Sequence, residues 1–220
     1  MDLYEAMKSR HSVRRFTDKK IDDVTRGLLQ QIVDMCNEES GLSFRLFFDE
    51  PKAFGNMFYH YGRFRNCKNY LALVGPQGMD EKYGYYGEKF VLEARRIGLN
   101  SCWVGLTYKK SNIPVNLNKG EKVRLVIALG YGVTQGVAHK SEDITELCQS
   151  SGEMPDWFKK GMDAALLAPT AINQQKFLMI RNGDTVIAKA LPAAYSKVDL
   201  GIVKYHFEIG AGKDNFRWGQ

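Results

Sequence analysis

Seven residues near the start of the chain, Arg10-His11-Ser12-Val13-Arg14-Arg15-Phe16, carry its densest chemistry. Successive side chains of an extended segment alternate sides, so residues 10, 12 and 14 share one face. Two guanidinium groups and a hydroxyl would then converge on one anion. Arginine offers phosphate a planar fork of donors, and a serine hydroxyl both donates and accepts, so the set suits a phosphate with a polyol attached. On charge pattern alone, a solvated basic turn after a helix accounts for the segment equally well.

Other chemistry-bearing residues read more plainly. Gly210-Ala211-Gly212-Lys213 has the outline of a P-loop, but Phe207 stands where Gly is needed and Asp214 where Ser or Thr is needed. Gly130-Tyr131-Gly132 lacks the third glycine, opening a helix, of a dinucleotide fingerprint. Cys102 lies in the apolar run Ser101 to Leu106 without a neighbouring His or Lys, which predicts a buried structural thiol, with Trp103 as core. Tyr83, Tyr85 and Tyr86 either cover a ligand or pack. Cys36, Cys67, Cys102 and Cys148 form no Cys-x-x-Cys pair and lie far in sequence from the histidines, which predicts a reduced, metal-free, cytoplasmic protein.

The 220 residues, 44% hydrophobic and 25% charged, suffice for a sizeable core. The net charge of +6 gives a basic surface, but no helix-turn-helix, RNP-type or zinc-finger pattern accompanies it, so nucleic acid is not expected as a partner. Asp2, Glu5 and Lys8 interrupt the opening residues and no apolar run has bilayer length, so neither secretion nor a membrane is expected.

These residues must be positioned by a series of short elements. Leu3, Tyr4, Ala6 and Met7 are spaced for a helix over 2–9, which breaks at the arginine segment. Val24, Leu28, Leu29, Ile32, Val33 and Cys36 predict an amphipathic helix from Asp22 to Asn37, capped by Asp22 or Asp23 and stopped by Gly41. Leu42 to Phe48 alternates as a strand, Pro51 to Asn69 is aromatic and irregular, and Tyr70 to Val74 is a central strand closed by Gly75-Pro76. A helix over 82–97 stops at Gly98, a buried strand or turn covers 101–106, and Val123 to Tyr131 is a central strand. Beyond a polar connection over 133–153, Pro155 opens a helix over 157–168 that Pro169 ends. A strand over 177–180 ends in Asn182-Gly183, and an amphipathic helix covers 198–210. The hairpin-like junction argues against a purely parallel sheet, giving an α+β fold of mixed α/β layers.

The segment Tyr4 to Phe16 resembles the N-terminal signature of the FMN-dependent nitroreductase family. The resemblance implies that Arg10, Ser12 and Arg14, with His11 alongside, hold the flavin phosphate and ribityl chain. Leu92 to Gly105 is similar to the family's helix-to-strand passage, where Trp103, Val104 and Gly105 bring backbone amides to the flavin ring. Ile127 to Gly132 is similar to its last core strand, and His139-Lys140 stand where the family keeps basic residues for phosphate. Ala168-Pro169-Thr170-Ala171-Ile172-Asn173-Gln174-Gln175 resembles the loop that meets the flavin edge, which implicates Pro169, Thr170, Ala171, Asn173 and Gln175. Lys176 and Phe177 replace the usual Pro and Trp, and the loop follows the core strands instead of preceding them, an order closest to the TM nitroreductase subgroup.

The resemblance implies a nitroreductase-like fold with a central mixed sheet flanked by helices, in which residues 1–150 form the flavin-phosphate half and 151–220 the half carrying the flavin-edge loop, packed as one domain. The order of elements suggests an internal pseudo-duplication, with Tyr86-Gly87 matching Leu200-Gly201 and one flavin between the halves, as a monomeric pseudo-dimer or a homodimer. The implied activity is two-electron transfer by FMN from NAD(P)H to an electron-poor small molecule, a nitroaromatic or quinone-like acceptor, with no catalytic side chain required. The alternative is a non-catalytic FMN-binding sensor or carrier.

Overall fold

The computed structural model describes residues 1–55 and 64–219. Within the irregular stretch expected over 51–69, residues 56–63 thus lie outside the described residues; on either side of them Phe54 and Phe64 pack with ring centroids 4.9 Å apart. Helix α1 spans Leu3–Ser9 and α2 Asp23–Ser40. Asp22 caps α2 by accepting from the Thr25 amide, and Gly41, at φ +70°, ends it in the left-handed region that glycine tolerates best. Strands β1 (Arg45–Phe47) and β2 (Asn69–Pro76) lead to helix α3 (Asp80–Arg96), then β3 (Asn100–Val104) and β4 (Glu121–Gly130). Helix α4 (Ile144–Leu147), β5 (Cys148–Ser150), α5 (Asp156–Ala165), the hairpin β6 (Phe177–Asn182) and β7 (Thr185–Ala190), α6 (Ser196–Ala211) and β8 (Arg217–Trp218) complete the chain.

The chain divides into two compact units. The first to be described comprises Ser9–Met79 and Phe90–Ala138. Its sheet has the order β1-β2-β4-β3 with every neighbouring pair antiparallel. Tyr70, Ala72 and Val74 of β2 and Val126 and Ala128 of β4 pack with Cys102, Val104, Val13 and Phe16 in one cluster. Leu71, Leu73, Leu125, Ile127 and Leu129 are buried as well, which explains why these strands read as unbroken apolar runs.

The other unit comprises Met1–Lys8, Asp80–Lys89 and His139–Gln220. Its sheet is mixed, β5-β6-β7-β8, with β5 parallel to β6 and β7 parallel to β8 around the antiparallel β6–β7 hairpin. The mixed α+β class is the one expected, with the strands divided between two four-stranded sheets. Helix α6 differs from its expected amphipathic form: residues 198–203 and 205–208 are all buried, so the helix is covered on every side. Gly201 and Gly84 let α6 and α3 meet backbone to backbone, since a Cβ at Gly84 would lie 1.9 Å from the Val198 carbonyl oxygen and one at Gly201 2.0 Å from that of Glu81. Gly84 is therefore the glycine of α3 that meets α6 beside Gly201.

The polar connection over 133–153 contains α4 and β5, of four and three residues, too short to leave a period in the sequence. Pro155 is the N-cap of α5 with Asp156 its first helical residue, and α5 ends at Ala165, three residues before the expected end.

Candidate functional site

Three glycines make room for the arginine segment. A Cβ at Gly130 would stand 3.0 Å from the Phe16 ring, one at Gly132 2.9 Å from Val13 Cγ1, and one at Gly136, φ +78°, 2.7 Å from His11 Cβ. Backbone bonds fix the segment there: Val13 N donates to Ser101 O at 3.0 Å, Thr17 N to Tyr131 O at 2.8 Å and Val133 N to Arg15 O at 2.9 Å. The glycines that fail as a dinucleotide fingerprint thus serve close packing.

With Val13 and Phe16 turned into the core, Arg10, Ser12 and Arg14 all act on the thiol of Cys102. Burial raises that thiol's pKa, opposed first by the charge of Arg14, then by a hydrogen bond with Ser12, then by the charge of Arg10. Burial prevails, so Cys102 is the structural thiol expected, although its cationic neighbours were invisible in its local sequence. Arg10 is 4% exposed, Arg14 lies at the surface, and His11 and Ser12 are half-buried. Trp103 and Gly105 are half-buried about buried Val104 at the end of β3.

Arg95 of α3 joins this cluster. Its Nε donates to Ser9 Oγ at 3.1 Å and its Nη1 to Gln135 Oε1 at 2.8 Å. Asn100 completes the support, donating to Gln135 Oε1 at 3.0 Å and accepting from Gly132 N at 2.9 Å. The pKa of Arg95 is lowered by burial first and by Arg10 second. Two guanidinium groups that repel one another in a partly buried setting are stabilised by an anion that both can bind. Sequence reasoning missed Arg95, Gln135 and Asn100; Arg95 and Asn100 lay inside the family-like passage 92–105, but only folding places them near Arg10.

The remaining expected residues lie in the other unit, around the loop 169–175. Asn173 Nδ2 donates to Lys140 O at 2.8 Å, Gln175 Nε2 donates to the same oxygen at 3.1 Å, and Gln175 Oε1 accepts from Glu142 N at 3.0 Å. Thr170 Oγ1 accepts from Gln175 N at 3.0 Å, and Asp199 accepts from Ala171 N. Pro169, Thr170 and Ala171 are half-buried. His139 Nε2 lies 2.9 Å from Leu166 O, a contact that requires its protonated tautomer, while the Lys140 side chain is exposed. Asp199 and Gln174 were missed for want of any local signal. Tyr83 is buried, and Tyr85 donates to Glu208 at 2.5 Å, so both serve packing. Among the described residues, no group of three or more His, Cys, Asp or Glu could hold a metal, and no helix is long and apolar enough to cross a membrane.

The mixed α+β fold and the arginine segment laid against its antiparallel sheet are those of a nitroreductase-type protein. The profile of the family described as "Putative TM nitroreductase" matches residues 2–211, and the chain belongs to that family. A "putative nitroreductase" from Thermotoga maritima MSB8 shares the fold at a TM-score of 0.69 and 22% identity, over 97% of this chain and 85% of that one. A second "putative nitroreductase", from Desulfovibrio desulfuricans and solved in complex with FMN, matches at a TM-score of 0.54 and 16% identity, over 70% of this chain and 98% of its own. One from Exiguobacterium sibiricum 255-15, also in complex with FMN, gives 0.52 and 15%, over 66% and 95%. No curated protein matches the sequence.

Proposed function

We propose that the chain binds FMN and passes two electrons from NAD(P)H to an electron-poor small molecule, a nitroaromatic or a quinone. The observation that carries this reading is the arginine segment paired to β3 at Ser101, with Arg10, Ser12 and Arg14 all acting on Cys102 and Arg95 bonded to Ser9, the residue before Arg10. The donor set fits a phosphate ester with a polyol: guanidinium forks for the dianion and a hydroxyl for the first ribityl oxygens. FMN bound in two relatives of the same fold supports it.

When bound, FMN supplies the redox chemistry, accepting a hydride and returning two electrons to the acceptor. The residues of the chain bind and orient it. Arg10, nine-tenths buried, offers a charge little weakened by water, whereas Arg14 at the surface adds a screened one. Arg95 holds its guanidinium through Ser9 and Gln135, so little side-chain entropy is lost when an anion arrives. Asn173 and Gln175 fix their loop by bonding the Lys140 carbonyl, which leaves the loop preorganised for the ring edge.

The test is the visible spectrum of the purified protein. A flavin spectrum with FMN released on denaturation, bleaching by NADH or NADPH and recovery with a quinone or nitroaromatic is expected. Flavin that binds but never bleaches would make the chain a carrier or sensor, and a colourless protein that ignores added FMN would remove the reading.

A further inference from the structure

Asp199 is a buried carboxylate, 3% exposed, for which the electron transfer proposed above has no use. In the first turn of α6 it accepts from the Ala171 amide with both oxygens, at 3.0 and 3.1 Å, and from Gln174 Nε2 at 2.7 Å. The loop it grips is strained. Ile172, Asn173 and Gln175 stand at φ +48°, +57° and +45°, a region that costs most for a β-branched residue. The Ile172 side chain is 78% exposed, so its own burial does not offset the strain. Such conformations persist only where the surroundings over-determine them, and here Asp199, Lys140 and Glu142 do so.

We propose that Asp199 is a positioning residue for the flavin: as a carboxylate it latches the Thr170–Gln175 loop in the shape that meets the flavin edge, and protonation releases the latch. The proposal rests on the flavin reading above. An ionised Asp199 accepts at both oxygens, whereas a protonated one turns an O–H toward donors that need an acceptor.

The charge is kept against the interest of the fold. Burial raises the pKa of Asp199 from 3.8 to about 6, opposed by the bonds from Gln174 and then Ala171. The folded value exceeds the unfolded one, so this group's contribution to stability is fully present below 3.8 and is lost as pH rises through about 6. A carboxylate serving stability alone would show the opposite sign. The loop residues 169–175 are not ionisable; α6 itself bears Lys197, Lys204, His206 and Glu208 behind Tyr195 at its N-cap, and of the elements packed against it α3 bears Glu81, Lys82, Tyr85 and Glu88, α5 Lys160 and Asp163, and the hairpin Arg181 and Lys189. Among the described residues, no charge contributes to the shift of Asp199, whose causes are burial and its two hydrogen-bond donors.

The experiment follows amide exchange at Ala171 in the flavin-free protein from pH 7.5 to pH 5, as protection factors, beside FMN titrations, for wild type and Asp199→Asn. Wild-type protection at Ala171 should fall about tenfold from pH 7.5 to pH 5 while the thermal midpoint does not fall. Asp199→Asn should show the low value throughout and bind FMN about tenfold more weakly at pH 7.5. A phosphate monoester itself titrates near 6, so the difference between the two proteins is the readout. Unchanged wild-type protection between pH 7.5 and 5 overturns the latch, and needs no variant to fold. Wild-type FMN affinity in Asp199→Asn, or a wild type that binds no FMN, overturns the flavin role, and Ala171 then reports on the latch by itself.

Discussion

Arg95 is tied through its Nε to the hydroxyl of Ser9, the residue before Arg10, and its pKa is lowered by burial first and by the charge of Arg10 second. The pairing of two cations in a partly buried place predicts that both serve one anion. Arg10→Ala and Arg95→Ala should each weaken FMN binding by about 1.5–3 kcal/mol, roughly ten- to a hundredfold, as measured by fluorescence titration. Arg14→Ala should cost less, because its charge is exposed, and Arg15→Ala, outside the group that acts on Cys102, should cost little. Equal losses at all four positions would indicate a diffuse basic surface.

The contact of α3 with α6 makes its glycines intolerant of a methyl group. Gly84→Ala and Gly201→Ala would each press a Cβ to within 2.0 Å of a backbone oxygen, and backbone cannot step aside as a side chain can. Each should destabilise the protein by about 3 kcal/mol or more in urea denaturation. Gly27 of α2 has nothing within 4 Å of an added Cβ, so Gly27→Ala should instead stabilise by about 0.5–1 kcal/mol. A stable Gly201→Ala protein would show that the two helices can separate without loss.

All four cysteines are buried, and burial raises the pKa of Cys67, Cys102 and Cys148. For Cys102 this outweighs the arginines, so native protein at pH 7.5 should resist iodoacetamide while urea-unfolded protein takes up four labels. Fast native labelling of Cys102, read by peptide mass spectrometry, would mean that the arginine charges win and that the thiol is reactive.

Much of the fold is legible because its signals are local. Asp22 and Gly41 mark the ends of α2, and the apolar runs of β2 and β4 announce strands buried on both faces. Strands of two or three residues such as β5 and β8 are set by pairing partners distant in sequence, and they and the four-residue α4 are too short to leave a period. Helix α6 misleads for a related reason: Asp199, His206 and Glu208 look like a solvated face but are buried with partners on other elements. The same limit governs the site. Arg10, Ser12 and Arg14 could be read from alternation in one short segment, whereas Arg95 and Asp199 act across 85 and 28 residues of chain, toward Arg10 and Ala171.

His206 of α6 and Glu88 of α3 are both fully buried, with Nε2 2.9 Å from Oε1. The other ring nitrogen, Nδ1, lies 3.2 Å from the Ala164 carbonyl oxygen, which can only accept, so Nδ1 carries a proton. The pair is therefore either an imidazolium with a carboxylate or a neutral imidazole with a carboxylic acid, and in both cases one proton lies between Nε2 and Oε1. Removing one partner strands the other in an apolar interior, which costs about 3–5 kcal/mol for a buried pair. His206→Ala adds a cavity to that cost and should unfold the protein or lower its denaturation midpoint severely. Glu88→Gln is the milder change, because a neutral amide can donate to Nε2 of the neutral ring and keep the bond. Its loss should stay within about 1–2 kcal/mol, the scale of one exchanged hydrogen bond. If Glu88→Gln is as damaging as His206→Ala, the bond requires charge on both sides and the pair is an ion pair in the folded protein.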